Sequence, residues 1–232
     1  MNTPSELGTV IVTGGAAGLG AAVVRAVADA GGTPAVLDLH APDDPAIAFE
    51  RVDLADAGAA AEAVERLVER VGPPSGVVTA AGIDSCGPLA QVPFEDWSRV
   101  VAVNLVGTAA VIKACLPHLE RTHGRIVTVA STLGLRAVGD ATAYCASKYG
   151  VVGFTQALAR ELAGRIGVTL LVPGGMQTGF FDGRPDQYRP GPDADLADPA
   201  QVARAVLFAL GQPPGLEVRQ LTVTTGTEPS WP

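Results

Sequence analysis

A tyrosine and a lysine stand four residues apart in Tyr144-Cys145-Ala146-Ser147-Lys148, within a helix-forming stretch at 141–163. On a helix that spacing puts the phenol and the ammonium on one face. A phenol ionises near ~10, too high for a base at neutral pH, and an adjacent cation lowers that value. The pair can therefore exchange a proton with an alcohol or ketone oxygen, with Tyr144 as general acid/base and Lys148 stabilising its anion. The chain has three tyrosines, and Lys148 and Lys113 are its only lysines, so the spacing is not a product of abundance. Ser131 lies upstream, just past an apolar β-branched run at 125–130. A hydroxyl there can hydrogen-bond an oxygen that gains negative charge as hydride reaches its carbon. Asn104 interrupts an apolar helical stretch, where a buried amide needs partners.

A second group of residues suits a dinucleotide. An apolar run at 9–12 leads straight into Thr13-Gly14-Gly15-Ala16-Ala17-Gly18-Leu19-Gly20 and then a helix. Gly14, Gly18 and Gly20, with Ala17 and Leu19 between them, let the backbone turn sharply and approach a pyrophosphate, which the helix N-terminus favours. Asp38 closes the next apolar run. A carboxylate there accepts from both ribose hydroxyls of NAD and repels a 2′-phosphate. An NADP site would want an arginine in the glycine loop or just after Asp38, and neither Ala16-Ala17 nor Leu39-His40 supplies one. NAD(H) is the expected cofactor and NADP(H) the alternative.

Short β-branched runs alternate with alanine-rich helical stretches along the chain. Strands are expected at 9–12, 34–38, 49–52, 76–79, 125–130, 168–172 and 218–224. Helices are expected at 18–30, 55–71, 94–119 (interrupted near Asn104), 141–163 and 199–210. Alternation of this kind implies parallel strands joined by right-handed crossovers, with helices on both faces of one sheet. No linker divides the chain, so residues 1–232 read as one α/β, doubly wound, Rossmann-type domain. The Pro, Gly and Asp-rich segment 179–199 reads as a long surface loop placed to act as a substrate lid.

Composition narrows the function classes. A net charge of −8 and a pI near 4.8 argue against a nucleic-acid partner held by bulk electrostatics. Three widely spaced cysteines with no Cys-x-x-Cys pair suit neither a disulfide framework nor a thiolate metal site. No N-terminal secretory pattern is present, and the apolar stretch 100–116, broken by Asn104 and Lys113, is short for a membrane span. A cytoplasmic protein without metal is expected.

The spacing Gly14-x-x-x-Gly18-x-Gly20 resembles the cofactor loop of the short-chain dehydrogenase/reductase family in its compact form. With Ser131, Tyr144 and Lys148, the matching motifs span residues 9–178. The resemblance implies a mostly parallel seven-stranded sheet of order 3-2-1-4-5-6-7. It also implies a second role for Lys148 on the nicotinamide ribose, and a water held by Asn104 that links Lys148 to solvent. Asp53, with Leu54 beside it, resembles the family aspartate that faces the adenine, although it could equally cap the next helix. Pro173-Gly174-Gly175-Met176-Gln177-Thr178 resembles the segment that lines the nicotinamide, with Thr178 on its carboxamide and Pro173, Gly174 and Met176 packing nearby.

Two departures stand out. Thr79-Ala80-Ala81-Gly82 replaces the family's Asn-Asn-Ala-Gly, which removes an expected structural hydrogen bond while Ala81 and Gly82 still allow close approach. The family's Val-Asp-Gly-Gly after the last strand is missing, and the tail 225–232 differs. A homodimer or homotetramer is expected through the Tyr144 helix, where Ala146, Gly150 and Gly153 permit close helix packing. Trp231 could cover the cleft or fray. The expected activity is interconversion of a small secondary alcohol and a ketone. A dinucleotide-binding scaffold without turnover and an extended-type epimerase or dehydratase are the alternatives from other classes. The four acids Asp182, Asp186, Asp193 and Asp195 disfavour a strongly anionic substrate, an inference that Arg184 and Arg189 weaken.

Overall fold

The computed structural model describes residues 7–231. Seven strands pair in parallel throughout: β1 (Thr9–Thr13), β2 (Thr33–Asp38), β3 (Ala48–Arg51), β4 (Gly76–Thr79), β5 (Arg125–Val129), β6 (Gly167–Pro173) and β7 (Gln220–Val223). Their order is β3-β2-β1-β4-β5-β6-β7, as the family resemblance implied. The order reverses between β1 and β4, and a crevice opens there beyond the carboxyl ends of the strands.

Both faces of the sheet are covered, which is why its strands lack polar alternation. Ile11, Leu37, Val77, Ile126 and Val168 pack on one side against α2 (Ala57–Val71), α4 (Thr108–Thr122) and α5 (Thr142–Glu161). Val10, Val12, Val36, Val78 and Val127 pack on the other against α1 (Gly18–Asp29) and α6 (Pro199–Leu210). Asp56 caps α2, its carboxylate accepting from the N–H groups of Gly58 and Ala59 at 3.0 Å. Asp198 caps α6, ahead of Pro199 in the first turn.

The helical stretch expected at 94–119 is one rod: α3 (Phe94–Val101), a π-helical turn at Ala102–Gly107, and α4. The interruption expected near Asn104 is this wider turn. Asn104 sends its side chain out of the helix to other elements, while its carbonyl accepts the Thr108 hydroxyl at 2.9 Å. Gly107 lets the turn press on the strand side of the site, since a Cβ there would lie 2.5 Å from the Leu54 carbonyl oxygen. The rod Phe94–Thr122 is longer than the apolar stretch 100–116 read from sequence, and long and apolar enough in composition to cross a membrane. Its residues Val103, Val111, Ile112, Cys115 and Leu119 are buried in the core beside α2 and the sheet. The last strand is also shorter than the expected 218–224.

Candidate active site

Tyr144 and Lys148 occupy the first two turns of α5 and are both buried, at 9% and 4% exposure. The Lys148 ammonium donates to the Val129 carbonyl at 2.9 Å and lies over the Tyr144 ring, 5.6 Å from its centre. Ser131 follows β5 and caps a short 3-10 turn, its Oγ accepting from the Leu133 N–H at 3.1 Å. That turn sits directly on α5: a Cβ on Gly134 would lie 2.8 Å from the Lys148 carbonyl oxygen. The serine and the Tyr144 helix are thus brought together by backbone packing.

The electrostatics differ from the expectation that Lys148 lowers the phenol. Burial pushes Tyr144 up to about 12; the Ser131 hydroxyl pulls it back and the Asp84 carboxylate adds to the rise. Burial also brings Lys148 down to about 8. The ammonium stands over the ring and is itself desolvated, so it does not offset the cost of a buried phenolate. At neutral pH Tyr144 is therefore a protonated phenol.

Asn104 lies behind this pair, at 1% exposure. Its Oδ1 accepts from the Ile83 N–H at 2.9 Å, and its Nδ2 donates to the Ile83 carbonyl and to Ser147 Oγ. The Ser147 hydroxyl in turn donates to the Tyr144 carbonyl at 2.8 Å. Asn104 thereby ties the segment after β4 to the first turn of α5.

A cleft of about 1310 Å³ opens over these residues. Every sequence-predicted site residue except Asn104 lines it. At one end the glycine loop closes on itself. Gly14 has φ +70°, its Cβ position blocked by the Ala81 backbone at 2.7 Å, and a Cβ on Gly20 would lie 2.0 Å from the Gly14 carbonyl oxygen. Gly20→Ala is expected to lower stability by about 3 kcal/mol or more through overpacking. Thermal melting should register this as a fall of roughly 10 °C. Thr13 Oγ1 accepts the Ala81 N–H at 3.1 Å, so the loop stays bonded to the strand-end turn although both family asparagines are missing.

The residues present fit a dinucleotide. The N-cap of α1, Ala17, makes no side-chain capping bond, and the first turn carries no acid, so the helix turns uncapped N–H groups toward the glycine-lined cleft. Asp38 is held by two backbone donors, Ala16 N–H to Oδ2 at 3.0 Å and His40 N–H to Oδ1 at 3.1 Å. Asp53 does not cap α2; Asp56 does. Instead Asp53 accepts from the Ala55 N–H at 3.0 Å and pairs with Arg99 at 2.9 Å, and these bonds hold its carboxyl below the usual range. Thr178 packs over Gly18, bringing the segment after β6 to the glycine loop.

The loop 179–199 covers the other end of the cleft. Its Arg184 pairs with the buried Asp84 at 2.6 Å and stacks on Phe180 and Phe181, 5.0 and 4.7 Å from their ring centres. Phe180 reaches the Tyr144 ring at 5.6 Å, and Tyr188 donates to Asp140 at 2.9 Å. Of the four acids weighed against an anionic substrate, Asp193 and Asp195 line this cleft together with Arg184 and Arg189. Cys86 donates to Asp84, and burial and that carboxylate push its thiol up to about 12, consistent with a packing role.

Asp84, Glu228 and Ser230 were not singled out from the sequence. Asp84 had one legible signal, a carboxylate two residues past Gly82 in an apolar context. Glu228 and Ser230 had none. Trp231 does not line the cleft, while Glu228 and Ser230 do.

Comparison with known proteins decides the family. Residues 8–189 match the short chain dehydrogenase family model. The chain belongs to the short-chain dehydrogenase family. It is 32% identical over 216 residues to a 3-oxoacyl-[acyl-carrier-protein] reductase of Thermotoga maritima, covering 85% of this chain and 88% of that protein. The aldohexose dehydrogenase of Thermoplasma acidophilum superposes with a TM-score of 0.84 at 24% identity, covering 97% of this chain and 96% of the other. An alcohol dehydrogenase of Thermococcus sibiricus, solved with 5-hydroxy-NADP, superposes with a TM-score of 0.82 at 23% identity, covering 92% and 94%. This short-chain dehydrogenase is accordingly an oxidoreductase of CH–OH groups that takes a nicotinamide dinucleotide and a small-molecule substrate.

Proposed function

We propose that this chain is an NAD(H)-dependent dehydrogenase that interconverts a secondary alcohol and a ketone. The observation that carries the cofactor reading is Asp38. It is fixed by two backbone N–H groups at the edge of the cleft, where its remaining lone pairs can accept from two ribose hydroxyls and its charge opposes a 2′-phosphate. Arg99, a cation in this part of the cleft, is engaged by Asp53. The alternative, an NADPH-dependent ketoreductase, would need an arginine in the glycine loop or just after Asp38, where this chain has Ala16-Ala17 and Leu39-His40.

When bound, the nicotinamide supplies the hydride chemistry. Gly14, Ala17, Gly18, Leu19 and Gly20 would hold the pyrophosphate. Asp53, Leu54, Ala81 and Gly82 would flank the adenosine side, and Pro173, Gly174, Met176 and Thr178 the nicotinamide. Ser131 Oγ accepts from Leu133 N–H, which leaves its own O–H free to donate to the substrate oxygen. The neutral Tyr144 phenol is the proton donor that ketone reduction needs. Lys148 would reach the nicotinamide ribose, and Asn104 keeps the first turn of α5 in register with the segment after β4. Phe180 and Phe181 form an apolar wall for the substrate.

The unit is read as one domain in a cytoplasmic homo-oligomer built on α5. Gly150 is not free for that contact, because a Cβ there would lie 2.6 Å from Leu105 within the same chain. The open positions are Ala146, Tyr149 and Gly153, with Val106.

Titration calorimetry of NADH and NADPH tests the cofactor reading. NADH is expected to bind at least about tenfold tighter, and Asp38→Ala to erase most of that preference, a difference of about 1.4 kcal/mol. Tighter binding of NADPH to the unaltered protein would overturn it.

A further inference from the structure

The geometry points to Glu228 as a positioning residue of the active site, the centre of a C-terminal strap that ties the serine turn to the glycine segment after β6. The route begins at the end of β7, where Val223 accepts the Gly174 N–H at 3.0 Å. The chain then turns along the base of the loop 179–199. Thr225 Oγ1 donates to the Asp195 carbonyl at 3.2 Å, and Thr227 Oγ1 to the Asp195 carboxylate at 2.6 Å. This delivers Glu228 to Gly174 and Gly175. Its Oε2 accepts the Gly175 N–H at 2.8 Å, and it approaches so closely that a Cβ on Gly174 would lie 2.3 Å from that oxygen.

The other carboxylate oxygen faces Ser230. Oε1 accepts the Ser230 N–H at 3.2 Å and lies 2.5 Å from the Ser230 hydroxyl, which is itself 2.7 Å from the Thr132 hydroxyl. Ser230 has one hydroxyl proton. With that proton on the carboxylate, Thr132 donates to Ser230, and the string runs unbroken from Thr132 through Ser230 and Glu228 to the Gly175 amide. Thr132 is the neighbour of Ser131, and Gly175 is the neighbour of Met176. The two loops that would hold the substrate oxygen and the nicotinamide are therefore joined through one carboxylate.

A tail that only shielded the sheet edge would bury apolar groups. Here Thr227, Glu228, Pro229 and Ser230 line the cleft and Trp231 does not. Glu228 is half-buried, and charge-assisted hydrogen bonds to a carboxylate are the strong ones. Three donors converge on Glu228.

The consequence for cofactor affinity rests on the proposed dinucleotide site, whereas the strap itself does not. The test therefore begins with amide hydrogen exchange on the full-length protein without nucleotide, comparing Glu228→Ala and Glu228→Gln. In Glu228→Ala, exchange in 131–135 and in 174–177 should rise together by about tenfold or more, with α1 and α6 unchanged. Glu228→Gln should restore most of the protection at 174–177, because an amide oxygen can still accept the Gly175 N–H. Unchanged exchange in 131–135, or a Gln variant no better than Ala, would overturn the strap. NADH affinity supplies the second readout: about tenfold weaker in Glu228→Ala and within about threefold of the unaltered protein in Glu228→Gln. If the unaltered protein bound neither nucleotide, the dinucleotide reading would fall while the exchange result still decided the strap.

Discussion

Tyr144→Phe should lower kcat/KM by about 10³-fold to 10⁴-fold while leaving NADH affinity within about twofold. The substitution removes one hydroxyl and keeps the ring that Phe180 and Lys148 contact. The phenol is buried beside Ser131, and burial holds it protonated, with a pKa pushed up to about 12. Loss of that O–H deprives the reacting oxygen of its proton donor. The Lys148 ammonium donates to the Val129 carbonyl beneath the ring, and the Ser131 hydroxyl is far too weak an acid to take over the proton transfer. Steady-state rates over a panel of secondary alcohols and ketones, paired with calorimetry, check the expectation. A loss smaller than about tenfold would remove Tyr144 from proton transfer.

Lys148→Met should raise thermal stability and abolish turnover together. The ammonium is 4% exposed, and the one hydrogen bond it makes among the described residues is to the Val129 carbonyl. Among the described residues no carboxylate neutralises it, so the fold bears most of the cost of desolvating the charge. Burial lowers Lys148 from 10.5 to about 8, which corresponds to about 3 kcal/mol at neutral pH. Leaving the Val129 carbonyl unpaired returns about 1 kcal/mol of that. The net gain of about 2 kcal/mol should appear as a rise in Tm of roughly 5 °C.

The pH dependence has a definite sign. Below pH 8 the group is charged in both folded and unfolded chains, and the whole penalty is present. Between about 8 and 10.5 the folded protein gives up its proton while the unfolded chain keeps it, so the stability contributed by this group rises with pH. The advantage of Lys148→Met should therefore shrink across that window and vanish above it. The raised values of Tyr144 and Cys86 act in the opposite sense at higher pH, but they are common to both proteins and leave the difference intact. A Tm gap independent of pH, or a less stable variant, would contradict the account. A residue that destabilises the fold in order to serve the site is the expected form of a stability and activity trade-off.

Much of this protein was legible without coordinates, because the relevant constraints are local. A strand that must turn into a helix against a pyrophosphate needs glycine at 14, 18 and 20, and a Tyr-x-x-x-Lys spacing on a helix sets two side chains on one face wherever the helix lies. Alternating runs implied parallel strands, and the family motifs implied their order. The proton-transfer residues and the glycine loop were therefore readable by position.

Other features depended on contacts between distant segments. By sequence Asp53 could face the adenine or cap the next helix, and only the backbone path at the start of α2 gave the cap to Asp56 and left Asp53 for Arg99. The sign of the Tyr144 shift required its burial, which outweighs the pull of the Ser131 hydroxyl and Arg184. Gly150 looked open on a helical wheel and proved to be filled by Leu105. Asp84 meets Arg184 across 100 positions of chain, and Glu228 meets Gly175 across 53. Spacing rules describe one helix, one strand or one turn, where bond geometry fixes neighbours. Which carboxylate enters the cleft is decided by how the long loop and the tail fold back over the sheet, where hydrogen-bond donors from separate elements converge to replace its water.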